Sequence, residues 1–538
     1  MSMTKEEVLA KYFSEKKGFR DVQEETIDSL LAGKNTLCLM PTGGGKSLIY
    51  QVAGLCMEKT TIIISPLIAL MNQQNAEMRA KGISTVSFSG MDYKKQFALI
   101  TDMANGVMPQ YIFTSPERIS SDGYLEYALN KRRDDIGQVV VDEAHCISQW
   151  GDGFRPAYRN IPDFLDRIFG GDGWPATLCL TATLNEEQQQ QVIKDFHISN
   201  VVKGENLWRK NLYLEILNLK DGKEDTKDEE LERIEKHRGE KILVFAHRVY
   251  GKHPTTRTLY DKYKDVYEGV AYFDSKADDK YKAYVLEGFK NGDIKIVFAT
   301  SAFGMGVDIP DIRVVVNYLI SETVEQYYQE VGRGGRDNQP AYGYLLYTNQ
   351  SKRGRRMLLN QSLCTEADLV SLYEDRKPKG DVAFGHVSYE DMNEEQRIAF
   401  ALLLEYRVFS VIAKGLASTR CLDSITEEGQ SFLDSIKQYA RNGSTTVAAK
   451  KSGKNINSMI LNIWELCVNR ALRMSKAPDR SIFYVQERKL DDELKAEIIS
   501  DQEKKKVHRV AKFEEFVSSI EAGDSAEMLV RKALNIGE

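Results

Sequence analysis

The chain has 538 residues, 42% of them apolar, and a formal net charge of −6; it is long enough for several buried cores and shows no overall basicity that would mark a nucleic-acid binder. No apolar run approaches the ~18 residues needed to cross a bilayer, and the first residues lack the apolar core of a signal peptide, so the expected compartment is the cytoplasm and no membrane partner is expected. Seven scattered cysteines without a C-x-x-C pair fit free thiols in a reducing compartment rather than a disulfide framework.

In chain order, helical periodicity is expected over residues 4–13 and 24–31, the second stopped by Gly33. Between them runs Gly18-Phe19-Arg20-Asp21-Val22-Gln23, where the Gln23 amide has the donor and acceptor to read an adenine edge; a solvated cap is the plainer reading. The organising stretch is Met40-Pro41-Thr42-Gly43-Gly44-Gly45-Lys46-Ser47. Three successive glycines let a loop turn its N–H groups inward around phosphate oxygens, and Lys46-Ser47 then opens a helix whose positive end faces the same anion. Lys46 would reach the β- and γ-phosphates, and the Ser47 hydroxyl would hold a magnesium ion. Met40 stands where the strict G-x-x-x-x-G-K-[ST] pattern has its first glycine, and a Gly-rich turn is the competing reading.

Apolar, β-branched runs follow at residues 61–66, 85–88, 111–114, 139–142 and 177–181, separated by helical patterns. Strands buried on both faces of a parallel sheet require such runs, so a doubly wound α/β domain is expected, with ligand chemistry at the strand ends. Asp142-Glu143-Ala144-His145 ends one run. Asp142 there could hold the magnesium through water, and Glu143 could orient and deprotonate the water that attacks the γ-phosphate. In the loop that follows, Trp150 and Phe154 interleave with Arg155 and Arg159. That is a stacking platform with phosphate contacts for single-stranded nucleic acid, or else an aromatic cluster sealing the core.

A highly charged stretch at 220–238 reads as a solvated linker and helix. A second alternation follows, with strands at 241–246, 270–273, 294–300 and 314–317 and no phosphate loop. Ser301-Ala302-Phe303-Gly304-Met305-Gly306-Val307-Asp308 is another glycine-bearing turn at a strand end. Arg333 and Arg336, one helical turn apart, could both cross a cleft toward a γ-phosphate whose charge grows in the transition state.

The order of these motifs resembles superfamily-two helicases, and specifically the RecQ family. The resemblance covers roughly residues 10–350 and is most specific in Asp142-Glu143-Ala144-His145-Cys146-Ile147-Ser148-Gln149-Trp150-Gly151 with Phe154-Arg155-Pro156, which separates RecQ-like enzymes from RNA-directed relatives. It implies two tandem RecA-like domains, 1–205 and 206–350, and a mainly helical accessory region at 351–538. It also implies site roles: Arg20 and Gln23 at adenine, Thr42, Gly43, Gly44, Gly45, Lys46 and Ser47 around phosphate, and Asp308 at the nucleotide. Asp142 and Glu143 would serve metal and water, Arg333 and Arg336 would act as finger and sensor, and Trp150, Phe154 and Arg155 would couple single-stranded DNA to hydrolysis. The implied activity is ATP-dependent separation of DNA duplexes with 3′ to 5′ movement on ATP and Mg²⁺, the partners being single-stranded and tailed duplex DNA. Two positions depart from the family. Lys16 replaces an aromatic that stacks on adenine, so Tyr12 or Phe13 would substitute, and Asp152-Gly153 replaces His-Asp. From another class, a nucleic-acid-stimulated ATPase acting as a clamp or remodelling subunit, with little unwinding of its own, fits the same residues.

The last third is less marked. Residues 443–454, a helix over 457–474 and a strand at 481–485 read either as a helix–turn–helix with a wing strand or as a generic bundle, and Lys504-Lys505-Lys506 as a solvated face. Many RecQ-like enzymes carry a four-cysteine zinc module here, and zinc needs about four soft or imidazole ligands. Beyond residue 350 only Cys364, His386, Cys421, Cys467 and His508 are available, the nearest two being 22 positions apart, so no zinc is expected.

Overall fold

The computed structural model describes residues 3–534 apart from 42, 148–155, 172, 205–207, 220–223, 235–238, 248–253, 305–308, 362–363, 379–383 and 390. The chain opens with α1 (Lys5–Tyr12) and α2 (Gln23–Leu31), then β1 (Thr36–Leu39), α3 (Lys46–Met57), β2 (Thr60–Ile64), α4 (Ile68–Ala80), β3 (Thr85–Ser87) and α5 (Tyr93–Ala104). It continues through β4 (Tyr111–Thr114), α6 (Pro116–Ser121), α7 (Gly123–Lys131), β5 (Ile136–Val141), α8 (Pro156–Arg159), α9 (Ile161–Phe169), β6 (Ala176–Thr181), α10 (Glu186–Asp195) and β7 (Asn200–Lys203). The strands form one parallel sheet in the order β3-β4-β2-β5-β6-β1-β7. The five apolar runs all lie in it. Edge strand β7 escapes the sequence pattern because Val202 is its single buried residue.

The second lobe holds β8 (Leu212–Asn218), α11 (Glu224–Ile234), β9 (Lys241–Phe245), α12 (Thr256–Tyr263), β10 (Val270–Phe273), α13 (Asp279–Asn291), β11 (Ile296–Ala299), β12 (Ile312–Asn317), α14 (Val324–Val331) and β13 (Ala341–Tyr347). Its parallel sheet runs β10-β11-β9-β12-β13-β8. The sequence shows four of these strands; β8 and β13 complete the sheet and pair from Ala341↔Leu212 to Tyr347↔Asn218. The solvated helix expected in the charged stretch is instead packed. Lys227 and Asp228 of α11 are buried, and the Asp228 carboxylate accepts from Lys262 Nζ at 2.6 Å and from the hydroxyls of Tyr263 and Tyr318, each at 3.1 Å. Tyrosine hydroxyls and a lysine satisfy what charge alone would keep in water.

The accessory region begins with α15 (Asn349–Leu359), α16 (Glu366–Arg376), β14 (Gly385–Ser388), α17 (Glu394–Glu405), β15 (Phe409–Gly415) and β16 (Leu422–Ser424). It ends with α18 (Glu427–Tyr439), α19 (Thr445–Ser452), α20 (Ile456–Val468), β17 (Leu472–Met474), β18 (Ser481–Gln486), α21 (Asp492–Ala522) and α22 (Ala526–Ala533). Helices α18 to α20 are bracketed by the antiparallel ribbon β16-β17. One sequence expectation changes. The strand at 481–485 is not the wing but the centre of a separate sheet, β14-β18-β15. One face of α20 is turned inward: its Ile463, Trp464 and Cys467 join the apolar core of the first lobe, and the Trp464 ring lies 5.0 Å from that of Tyr124. Among the described residues no helix is long and apolar enough to cross a membrane.

The first lobe and the accessory region share a tight seam. A Cβ on Gly123, at the start of α7, would meet the Lys414 carbonyl oxygen at 1.9 Å, so β15 approaches where only glycine leaves room. Beside it the buried Lys414 amine donates to the Ile119 carbonyl and to Glu126 Oε2, each at 2.6 Å, while Arg167 contacts the other Glu126 oxygen at 2.8 Å. Burial works against the Glu126 charge, yet Lys414 and Arg167 hold its carboxyl at about 2, and burial pushes Lys414 down to about 8 even beside this carboxylate. Such a pair fixes docking geometry more than it stabilises, and removing one member leaves the other charged and buried. Glu126→Gln should therefore destabilise the first lobe by about 3 kcal/mol, and Glu126→Gln with Lys414→Met should recover most of it in thermal denaturation. Because the folded carboxyl is depressed, its contribution is present above the ordinary carboxylate range and is lost as pH falls toward about 2. A single variant melting like the parent would refute this.

Candidate active site at the seam between the lobes

The phosphate loop leaves β1 and enters α3. Gly43 and Gly45 have φ of 78° and 85°, in the left-handed region that favours glycine, and Gly45 caps α3 so that the helix start opens onto the loop. The Gln23 amide donates to the carbonyls of Gly45 at 2.9 Å and Gly44 at 3.3 Å, and its oxygen accepts from the Arg20 N–H at 2.9 Å. Gln23, expected at an adenine edge, is thus turned to the loop backbone and braces it, while Arg20 is exposed. Phe13 is buried in the core of the first lobe under Lys81 and offers no stacking face, whereas Tyr12 is half-buried.

Lys46 Nζ is buried in this cradle with no hydrogen-bond partner among the described residues. Ser47 Oγ accepts from Gln74 Nε2 at 2.7 Å, and Gln74 in turn accepts from the Tyr50 hydroxyl at 2.6 Å. Asp142 follows β5; Ser65 Oγ donates to one carboxylate oxygen at 3.1 Å and the Glu143 N–H to the other at 3.0 Å. Burial and the adjacent Glu143 push the Asp142 carboxyl up. Burial alone would do the same to Glu143, but Lys46, His145 and Arg333 hold it well below the carboxylate range. Glu143 has φ of 50°, a left-handed conformation that costs a non-glycine residue free energy and marks a held position. His145 Nδ1 lies 3.2 Å from both Glu143 Oε2 and Thr181 Oγ1.

The second lobe supplies the arginine pair from the turn after α14. Arg336 lies against the phosphate loop, since a Cβ on Gly43 would come 3.8 Å from Arg336 Cγ. Arg333 is buried, its guanidinium lowered to about 10 by burial and by Arg336, with Glu143 and Glu330 opposing. Across the seam Gln329 donates to Thr183 Oγ1 at 2.5 Å and Asn185 to Glu325 Oε1 at 3.3 Å. The cleft encloses about 1860 Å³, and Lys505, His508 and Arg509 of α21 line its far side. Lys505 therefore faces the cleft, not open solvent as expected.

Two further residues hold this site and were missed in the sequence. Arg209 Nη1 donates to the Gly332 carbonyl at 2.8 Å and Nη2 to that of Gly335, so one guanidinium grips both sides of Arg333. Glu330 is buried and accepts from Ser321 Oγ at 2.8 Å, Gln326 Nε2 at 2.9 Å and Asn317 Nδ2, which fixes α14 on its strand end. Arg209 stands alone before β8, and no spacing rule links it to a turn so far along the chain. Glu330 stands three residues before Arg333 but reads as an ordinary helix-face acid. Thr42, Trp150, Phe154, Arg155 and Asp308 lie outside the described residues.

Two parallel-sheet lobes that meet over a phosphate loop are the architecture of nucleotide-driven motors. The DEAD/DEAH box helicase family matches residues 20–192, and the helicase conserved C-terminal domain matches residues 224–338. The chain is 32% identical over 466 residues to the ATP-dependent DNA helicase RecQ of Bacillus subtilis, covering 85% of this chain and 74% of that protein. It is 32% identical to the probable ATP-dependent DNA helicase RecS of the same organism, over 61% of this chain and 64% of that protein. It is also 32% identical to the ATP-dependent helicase SGS1 of Saccharomyces cerevisiae, over 60% of this chain and 22% of that protein. The chain belongs to the RecQ family of ATP-dependent DNA helicases. Its fold matches the DEAD-box helicase Mss116 bound to single-stranded RNA, with a TM-score of 0.54, 16% identity, and coverage of 88% of this chain and 92% of that one. It also matches the Mycobacterium smegmatis helicase Lhr, with a TM-score of 0.50, 16% identity and coverage of 68% and 52%.

Arg209→Met should lower kcat about tenfold or more while leaving nucleotide affinity within about twofold, because the arginine turn loses its brace but the cradle does not. Single-turnover kinetics beside nucleotide titration decide it; equal loss of affinity and rate would show a general collapse of the seam.

Proposed function

We propose that ATP binds in the seam with its phosphates on Thr42, Gly43, Gly44, Gly45 and Lys46, and that hydrolysis drives the chain 3′ to 5′ along single-stranded DNA, separating tailed duplexes. The observation that carries the nucleotide reading is the buried, unpartnered Lys46 amine, which lies in the field of two carboxylates and faces two arginines from the other lobe. An oxygen-rich anion is what that cradle lacks. In this reading Ser47 and Asp142 would hold Mg²⁺, which when bound would neutralise charge on the β- and γ-phosphate oxygens. The donors fit a hard cation, being a hydroxyl and a carboxylate. Glu143, kept ionised by Lys46 and His145, orients the attacking water and takes its proton. Arg333 and Arg336 approach the γ-phosphate as charge develops there, and Arg20, Gln23 and Asp308 complete the nucleotide pocket. For the base to be read by Gln23, its amide must share or release the loop carbonyls that it now binds.

Trp150, Phe154 and Arg155 stack on and contact the single strand in this reading, so that DNA binding is felt at Glu143. The choice of DNA over RNA rests on the family alone. The test is strand separation on 3′-tailed, 5′-tailed and blunt duplexes by the isolated chain, with Glu143→Gln as control. Separation of the 3′-tailed duplex alone, abolished in the variant while nucleotide binding persists, is the expected result. DNA-stimulated ATPase without separation would favour a clamp or remodelling subunit, and separation of the 5′-tailed duplex would reverse the direction.

We also infer that the accessory region holds no structural zinc. Cys364, Cys421 and Cys467 are each buried within apolar clusters, and among the described residues no three potential ligands converge. Apolar packing does there what metal would do elsewhere. Elemental analysis of the chelator-washed protein should find no stoichiometric zinc; about one zinc per chain would overturn the reading.

A further inference from the structure

The single turn α8 leads out of the segment that carries Trp150, Phe154 and Arg155. Its two last residues are tied in opposite directions. The buried Tyr158 hydroxyl donates to the Asp142 carbonyl at 2.8 Å, which anchors the turn to the water-orienting acids. Arg159 Nη1 instead reaches away, to Glu405 Oε2 at 2.7 Å, at the end of α17 in the accessory region. The other Glu405 oxygen lies 3.5 Å from Lys505 Nζ on α21. One turn further along α21, His508 is 3.2 Å from Glu187 of the first lobe, and Arg509 pairs with Glu322 of the second. One carboxylate thus links the exit of the aromatic segment to the helix that touches both lobes.

We propose that Glu405 is a positioning residue for DNA-coupled hydrolysis, holding α8 through Arg159 and α21 through Lys505 so that the aromatic segment and the lobes move together. The inference rests on the reading that the aromatic segment senses single-stranded DNA. It assigns Arg159 to protein, not to a phosphate of the strand. The three side chains keep between 25% and 37% of their exposure, so the pairs add little stability, and their loss leaves the fold standing.

The experiment is a double-mutant cycle on the full chain, reading ATP turnover with and without saturating single-stranded DNA, the KM for ATP and the melting midpoint. Glu405→Gln is expected to leave basal turnover, KM and midpoint unchanged and to lower DNA-stimulated turnover about threefold to tenfold. Arg159→Gln should lower stimulated turnover by a similar factor, Arg159→Lys should retain most of it, and the double variant should be no worse than either single one. Additive losses, or a loss in Arg159→Gln with none in Glu405→Gln, would return Arg159 to direct contact with the strand and overturn the proposal. Trp150→Ala and Phe154→Ala separate the two layers. If stimulation survives in both, the aromatic reading and this inference fall together; if it is lost there yet intact in Glu405→Gln, the tether alone is wrong.

Discussion

The site is governed by a buried ammonium beside two carboxylates. Lys46 Nζ has no hydrogen-bond partner among the described residues, although an ammonium out of water is among the costliest groups a fold can contain. The nearby carboxylates act on it through space: Asp142 accepts from Ser65 and a backbone N–H, and Glu143 Oε2 lies against His145. The second lobe then adds positive charge, and the mutual repulsion of Arg333 and Arg336 helps lower the Arg333 guanidinium. Lobes closed without an anion bring these cations together; in the proposed reading a triphosphate between them would satisfy all three, and its charge would set how strongly the lobes are drawn together.

The reactive groups all sit on strand ends and turns, which have little rigidity of their own, and each is fastened by a residue from another element. Gln23 bridges Arg20 to the loop carbonyls, Ser65 holds Asp142, Arg209 grips both flanks of Arg333, and Asn317 and Ser321, from beyond α14, hold that helix through Glu330. These braces are polar and buried, where a satisfied network is rigid and a half-satisfied one is costly. Misplacing a reacting group by an ångström loses orders of magnitude in rate, so the braces belong to the chemistry as much as the groups they hold.

How much of this the sequence showed follows from how local each signal is. The glycine-rich loop, most of the buried strands and the Asp142-Glu143 pair are written in adjacent residues; the interior strand β13 was nonetheless missed, its apolar residues being mixed with three tyrosines and a glycine. Edge strands β7 and β8 were invisible, since a strand with one exposed side buries too few apolar groups to make a run. The charged helix α11 was misread because composition cannot foresee Tyr263 and Tyr318, which lie far along the chain and satisfy Asp228. Arg209 was missed for the same reason, its partners being fixed by the pairing of β8 with β13. The helices of the last third were legible, but not what they pack on: the apolar stripe of α20 reads alike whether it packs within its own unit or against α5 and α7.

That last point changes what the accessory region does mechanically. Through α20 and the Lys414–Glu126 pair it is joined to the first lobe, and through Phe513, Phe516, Val517 and Ile520 of α21 it is joined to the core of the second. Helix α21 has 31 residues, so at 1.5 Å per residue it reaches about 46 Å, with its first turns packed on α17 and its last turns in the second lobe. Apolar clusters at both ends do not part readily. Between them lie ion pairs: Lys505–Glu405 and His508–Glu187 keep substantial exposure and are worth roughly 0–1 kcal/mol each, while Arg509–Glu322 is largely buried. Any change in the spacing of the lobes therefore bears on the stretch of α21 carrying Lys505, His508 and Arg509, which contacts both lobes and, through Glu405, the exit of the aromatic segment.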